Sequence, residues 1–269
     1  MTLNQITIVI TSYKSDKKIV KCLESINGQC KTIIIENSDK LSFKEKIEKN
    51  FKNTKCYIAG KNLGYAKGNN LGLSKVKTKY ALILNPDSEL GNDALNNFLN
   101  TASEIKKFAI IGPATQDEKN TKNNHKEVTE VNSVKGFAMF LNLEEFNDIG
   151  FFDSNFFIYL EEIDLCKRLK AKNKKIFVDP SILIYHQGGS SHEEQYNFEM
   201  ELSRNWHWMW STFYFNKKYY GFFVAFLKII PKMIKSFLKF IFYSLILNKK
   251  KKKIYLYRLS GINNSLLGK

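Results

Sequence analysis

Arginine is almost missing from this chain: Arg168, Arg204 and Arg258 are its only members among 42 basic residues in a length of 269. The positive charge is therefore lysine charge, and the formal net value is +16 at pH 7. Such an excess favours a polyanionic partner: nucleic acid, an acidic membrane surface or a phosphorylated substrate. Cysteine is scarce as well. Cys22, Cys30, Cys56 and Cys166 show no CxxC spacing and lie in apolar or helical contexts, which reads as four ordinary reduced thiols of a cytosolic protein. No uninterrupted apolar run reaches the roughly 18 residues that a spanning helix needs. The opening MTLNQITIVITSY is too short for a signal peptide and lacks its flanks; it reads as a first strand. No internal repeat is visible. Neither GxGxxG after the first strand nor GxxxxGK[ST] occurs, so the Rossmann dinucleotide and P-loop readings both fail.

What the chain does have is apolar content, 43%, enough for a substantial core. Short β-branched runs alternate with helical patterns. Strands are predicted over residues 6–11, 32–36, 56–59, 80–84 and 108–112. Helices are predicted through Lys18, Cys22 and Ile26, and over 43–49, 66–74 and 93–105. This alternation predicts an α/β fold: a mainly parallel sheet flanked by helices. Continuous apolar strands such as ALIL suit a sheet buried on both sides. After Pro113 the rhythm breaks. Residues 116–126 are polar and read as a surface loop. Residues 134–141 read as a strand, 143–149 as a short helix, 161–172 as a helix and 176–185 as one or two strands. Ser191 and Glu194 suggest a capping box opening a helix towards Phe215.

The last fifty or so residues differ in kind. Residues 219–247 are dominated by Phe, Ile, Leu and Tyr, and Lys228, Lys232, Lys235 and Lys239 interrupt them at helical spacing. On a helix those lysines share one face and leave a broad apolar face opposite. Pro231 would kink the helix, and five consecutive lysines follow at 249–253. A helix lying in the interface of an anionic membrane accounts for all of this, at roughly 1 kcal/mol per lysine. The plainer alternative is a lysine-edged helix packed on the rest of the protein. Nucleic acid fits less well, because the lysines alternate with bulky aliphatics and no binding motif accompanies them. The expected organisation is a catalytic domain over 1–215 and a basic amphipathic, membrane-associating tail over 216–269, in a protein peripheral on the cytoplasmic face of the membrane.

In a parallel α/β sheet, ligands collect at the carboxyl ends of the strands. After the first strand comes Thr11-Ser12-Tyr13; after the second, Glu36-Asn37-Ser38. The third is followed by Asn62-Leu63-Gly64-Tyr65-Ala66-Lys67-Gly68-Asn69-Asn70, and the fourth by Asn85-Pro86-Asp87-Ser88-Glu89. Each segment has a bland reading. The glycines can serve tight helix–sheet packing, and Asn85-Pro86-Asp87 can be only a turn. Yet an acid just after a buried strand is well placed to hold a divalent cation. Further on, Glu161, Glu162 and Asp164 open a helix, where the dipole alone favours acids and Asp164 can pair with Arg168. The aromatic approach through Phe156, Phe157 and Tyr159 suggests partial desolvation, which suits a general base. His186 ends another strand beside glycines, a reasonable position for a metal ligand.

Taken in order, ITIVITSY, IIIENS, NLGYAKGNN, LILNPDSEL, VKGFAMFLN, IGFFDSNFFIYLEEIDLCKR and YHQGGSS resemble the family-2 inverting glycosyltransferases, especially their rhamnosyltransferase-like branch. The resemblance spans roughly residues 5–215. It implies a GT-A fold, a nucleotide-diphosphate-sugar donor and a divalent metal, Mn2+ or Mg2+. It further implies that Thr11, Ser12, Tyr13 and Glu36 line the nucleoside pocket and that Asn62, Gly64, Tyr65 and Asn69 contact the nucleotide or its phosphates. Asp87 matches the last acid of the DxD motif, with Asn85 replacing the first, and His186 matches a late metal ligand. Glu162 falls at the catalytic base, usually aspartate, with Glu161 as the other member of that acidic pair. Gly136 and Glu161 would stand on the acceptor side. Glu36 also replaces a usual aspartate. The implied reaction moves a sugar, with rhamnose from its dTDP form the leading donor, to a hydroxyl of a lipid-linked glycan in cell-surface polysaccharide assembly. Residues 116–126 and 131–139 are expected to shape acceptor choice. Two other readings stay open: a nucleotidyltransferase, whose basic glycine-rich loop after the first strand is missing here, and a non-catalytic membrane scaffold.

Overall fold

A computed structural model of the chain describes residues 1–114, 127–186, 188 and 191–268. The expected loop at 116–126 lies outside the described residues. Compactness divides the backbone differently from the functional division at 215: one unit comprises Met1–Ser154 with Glu162–Glu193, the other Asn155–Glu161 with Glu194–Lys269.

The first unit is built on strands β1 (Ile6–Ser12), β2 (Lys31–Glu36), β3 (Thr54–Ile58), β4 (Tyr80–Leu84), β5 (Ser88–Leu90), β6 (Ile110–Pro113), β7 (Thr129–Glu130), β8 (Ala138–Asn142), β9 (Ile176–Asp179) and β10 (Ile184–His186). Eight of them form one sheet in the order β3-β2-β1-β4-β8-β6-β9-β7. β3, β2, β1 and β4 run parallel, and β6 runs parallel to β9. β8 is antiparallel to both of its neighbours, and β7 to β9. β1 and β4 are buried almost throughout, and their β-branched and aliphatic residues face cores on both sides of the sheet.

Helices α1 (Lys18–Ile26), α2 (Leu41–Asn50), α3 (Gly64–Leu73), α4 (Ala94–Ile105) and α5 (Glu161–Ala171) connect these strands. α1 buries Ile19, Cys22, Leu23 and Ile26, one stripe at a 3.6-residue period. Rings of Tyr80, Phe98, Phe108 and Phe140 stack within 4.9–6.1 Å of one another at the centre of this core. α3 approaches the sheet differently. A Cβ on Gly72 would stand 2.4 Å from Val9 Cγ1, and one on Gly68 2.5 Å from Thr11 Cγ2. The packing role of these two glycines is thus real. The segment 176–185 resolves into two strands of different sheets, because β10 leaves the main sheet to pair antiparallel with β5, setting His186 opposite Ser88. All four cysteines are free and buried.

The second unit is helical, with α6 (Asn197–Leu245) and α7 (Lys249–Leu266). Met209, Phe213, Ala225, Ile229 and Ile262 form its core. One expectation needs correction: the long helix opens at Asn197 after a 3-10 turn at Glu194–Tyr196, and Tyr196 makes no side-chain capping bond. Just before it, Ser15 Oγ donates to Ser191 O, and Lys17 N donates to Glu193 Oε1 at 2.7 Å. The helical dihedrals of α6 break at Gly221 (φ 79°, ψ 169°), a conformation that only glycine takes cheaply, and Pro231 lies inside the helix. The lysine run at 249–253 opens α7, where Asn248 caps by accepting from Lys251 N at 3.0 Å. Among the described residues no helix is long and apolar enough to cross a membrane.

Candidate active site

Parallel β1, β2 and β4 deliver their carboxyl ends to one edge of the sheet, and the side chains there fall into three linked groups. The first is built on the register of Ser12 with Glu36. Asn37 N donates to Ser12 O at 2.8 Å, and Asn37 Nδ2 donates to Gly64 O at 3.0 Å, tying β2 to the start of α3. Gly64 takes φ 76°, a left-handed turn that suits glycine, and donates its N–H to Asn62 Oδ1 at 3.0 Å. Asn69 is fully buried and donates to Tyr65 O at 3.0 Å. Glu36 is 2% exposed. Burial pushes its carboxyl above the ordinary range, against the lowering influence of the Ser38 and Ser12 hydroxyls. Ser38 Oγ donates to Glu36 Oε1 at 2.7 Å. Thr11 lies under Gly68, and Tyr13 O accepts from Ser15 Oγ at 3.0 Å.

The second group is Asn85, Asp87 and His186. Asp87 follows β4 and is 8% exposed. Both of its carboxylate oxygens are buried without a hydrogen-bond partner among the described residues. His186 Nε2 stands 3.4 Å from Asp87 Oδ1 and 3.5 Å from Asn85 Nδ2. Its ring is stacked on Phe137, centroids 4.5 Å apart and planes within 6°. Beneath them the Cys22 thiol approaches Asn85 O at 3.7 Å, and burial, with the carboxylates of Asp87 and Glu89, pushes its pKa up. That thiol stays neutral.

The third group is Tyr65, Gly136 and Glu162. Tyr65 OH donates to Gly136 O. A Cβ on Gly136 would lie 3.4 Å from that hydroxyl and 3.6 Å from Cβ and Cγ of Glu162. The groups meet at two consecutive residues. Gly136 touches Tyr65 and Glu162, while Phe137 accepts from Asn85 N at 2.9 Å and stacks on His186. Asp87, His186 and Glu162 therefore border one stretch of backbone at one sheet edge.

Glu161, at the first turn of α5, is 4% exposed and belongs to the second compact unit. The residues before it, Tyr159 and Leu160, have φ of 75° and 70°. Two successive non-glycine residues in the left-handed region store backbone strain, which clusters at functional sites. The bland reading fits Asp164: it is fully buried and accepts from Arg168 Nε at 2.8 Å, while that guanidinium also binds the carbonyls of Ile149 and Phe151. Sequence reasoning included Asn70 and Phe137 in candidate stretches without giving either a role of its own. Asn70 donates to Phe152 O at 2.8 Å and accepts from Phe152 N at 3.0 Å. The only hint of Phe137 is an aromatic residue directly after a glycine at a strand entry.

A carboxylate sunk without donors, beside an imidazole nitrogen, is a site that a divalent cation fits. No group of three or more His, Cys, Asp or Glu able to hold a metal occurs among the described residues. Of the described residues, Asp87 and His186 could supply two ligands, and the rest of a coordination shell would be substrate oxygens and water.

The parallel half-sheet with its polar carboxyl edge defines a ligand-binding α/β architecture, and the family model for glycosyl transferase family 2 matches residues 7–166. The chain belongs to glycosyl transferase family 2. It is 25% identical over 200 residues to the low-salt glycan biosynthesis hexosyltransferase Agl10 of Haloferax volcanii, covering 65% of this chain. The match spans just under two thirds of that relative, 64% of its length. It is also 25% identical over 245 residues to the rhamnosyltransferase WbbL of Escherichia coli K12, covering 77% of this chain and 90% of that one. The mannosyltransferase PcManGT of Pyrobaculum calidifontis, solved with GDP-Man and Mn2+, has the same fold: TM-score 0.63 at 10% identity, over 98% of this chain and 88% of that one.

Proposed function

We propose that the chain transfers a sugar, with inversion, from a nucleotide-diphosphate donor to a hydroxyl of a lipid-linked glycan acceptor, in cell-surface polysaccharide synthesis. Residues 1–215 carry the transfer in this reading and residues 216–269 the membrane association. The observation that carries it is Asp87, a buried carboxylate without hydrogen-bond partners among the described residues, 3.4 Å from His186. Asp87 and His186 would hold Mn2+ or Mg2+, which supplies Lewis-acid neutralisation of the leaving diphosphate. Thr11, Ser12, Tyr13 and Glu36 bind the nucleoside. Asn62, Gly64, Tyr65, Asn69 and Asn85 contact the nucleotide and its phosphates. Glu162 takes the proton of the acceptor hydroxyl as that oxygen attacks the anomeric carbon from the face opposite the leaving group. That single step passes through an oxocarbenium-like transition state, as in glycoside hydrolysis, and releases the nucleoside diphosphate. Gly136 stands on the acceptor side. Rhamnose from its dTDP form is the leading donor, in keeping with the likeness to WbbL.

The test is nucleotide release from a panel of nucleotide sugars, with and without lipid-diphosphate acceptors, in Mn2+, Mg2+ or EDTA. One donor is expected to be consumed, with release lost in EDTA and restored by added metal. A wild-type chain that consumes none of them overturns the catalytic reading in favour of a scaffold.

A further inference from the structure

Beyond Gly221, α6 has two apolar faces, and only one of them is used inside its unit. Ala225, Ile229 and Ser236 are buried, on the side that packs with Met209, Phe213 and Ile262. Phe223, Leu227, Ile234, Leu238, Ile241 and Leu245 are 40–77% exposed. At about 100° per residue these six fall within roughly 60° of arc, nearly opposite the buried face, over about 30 Å of helix. Lys228, Lys232, Lys235 and Lys239 fall within another arc of roughly 60°, centred about 120° from the stripe, on the flank between it and the buried face. Soluble monomers rarely expose so continuous an apolar surface.

Charge selects the occupant. A second copy brought face to face would oppose lysine flanks on chains that already carry +16 each. Next to the stripe, α7 opens with five lysines, of which Lys249, Lys250, Lys251 and others sit in a first turn that contains no acid. The helix dipole is positive there, so these charges repel it; an anionic surface relieves that repulsion.

We infer that the Phe223–Leu245 face of α6 lies in the plane of an anionic bilayer, its six apolar side chains among the acyl chains and its lysine flank among the headgroups. The cytoplasmic leaflet is the anionic one, which sets the inner face of the membrane as the site. The inference deepens the membrane association proposed above, but its test uses no catalysis, so it stands or falls apart from glycosyl transfer.

The experiment is co-flotation of the full chain with vesicles of phosphatidylcholine alone or mixed with phosphatidylglycerol. Wild type should bind the mixed vesicles and bind phosphatidylcholine weakly. The exposed pair Leu227→Glu/Leu238→Glu should abolish binding while circular dichroism and melting stay as in wild type. Lys228→Gln/Lys235→Gln should weaken it roughly 30-fold, about fivefold per lysine. Binding by Leu227→Glu/Leu238→Glu equal to wild type would assign attraction to the lysine run alone and overturn the face. Wild-type dimers in sedimentation velocity that this pair dissolves, with no vesicle binding, would assign the face to a second copy and also overturn it.

Discussion

Glu36 shows how a proposed binding residue costs the fold something. It is 2% exposed and its carboxyl is pushed up by burial. A folded-state pKa above the unfolded one means the protein binds that proton more tightly when folded. The penalty is therefore present above the folded pKa and vanishes as pH falls below the unfolded one. Glu36→Gln should melt higher than wild type at pH 7. The gap should close as the pH is lowered through the carboxylate range, while nucleotide affinity drops. A melting series against pH checks the sign; a gap that widens in acid contradicts it. Glu162 is the opposite kind of residue, half-buried and beside Gly136. Glu162→Gln should leave donor binding intact by calorimetry and lower turnover by about 10²–10⁴-fold. Near-normal transfer by this variant would remove Glu162 from the base role. Asp87 and His186 were each legible at strand ends, but only the family resemblance paired them, since His186 ends a strand outside the main sheet. Phe137 was not, because stacking on a histidine 49 residues away leaves no mark on local spacing.

At the scale of elements, the parallel strands were legible and the short ones were not. β1, β2 and β4 announce themselves because burial on both faces demands continuous apolar runs. β5 and β7 have three residues and two, too few for any period to appear. The break at Gly221 in α6 went unread, because the aromatic and aliphatic run continues through it and Pro231 is the more obvious breaker. Close approach was also legible in α3 as glycine spacing. Val9 is fully buried and stiff at χ1, so a methyl at position 72 has nowhere to go. Gly72→Ala should cost about 1–3 kcal/mol, read as a lower urea midpoint at unchanged slope. The first turn of α7 gives an element-scale prediction of opposite sign. Lys249→Glu should raise melting by relieving the dipole, about 0.3–1 kcal/mol, and should weaken binding to anionic vesicles. A variant that loses stability would mean that the lysine run is anchored within its own unit.

The charge of the whole molecule, +16, was the loudest signal in the sequence and the least specific. Net charge names a class of partner, not a site; the proposed reading narrows it to lipid on the exposed apolar stripe of α6. If that face holds the protein at a bilayer as proposed, it would change the encounter with substrates in that bilayer and leave soluble ones alone. Confinement raises the effective concentration of a membrane-borne acceptor without new contacts in the active site. Anionic vesicles carrying a lipid-diphosphate acceptor should therefore speed sugar transfer, whereas slow hydrolysis of the donor by water should stay constant. Both are read as nucleotide release in parallel assays. The acceleration should disappear in Leu227→Glu/Leu238→Glu and fade with salt, because screening shortens the reach of the lysines to about 8 Å at physiological ionic strength. Equal acceleration of hydrolysis and transfer would instead mean that lipid alters the donor site itself, and the confinement account would fail.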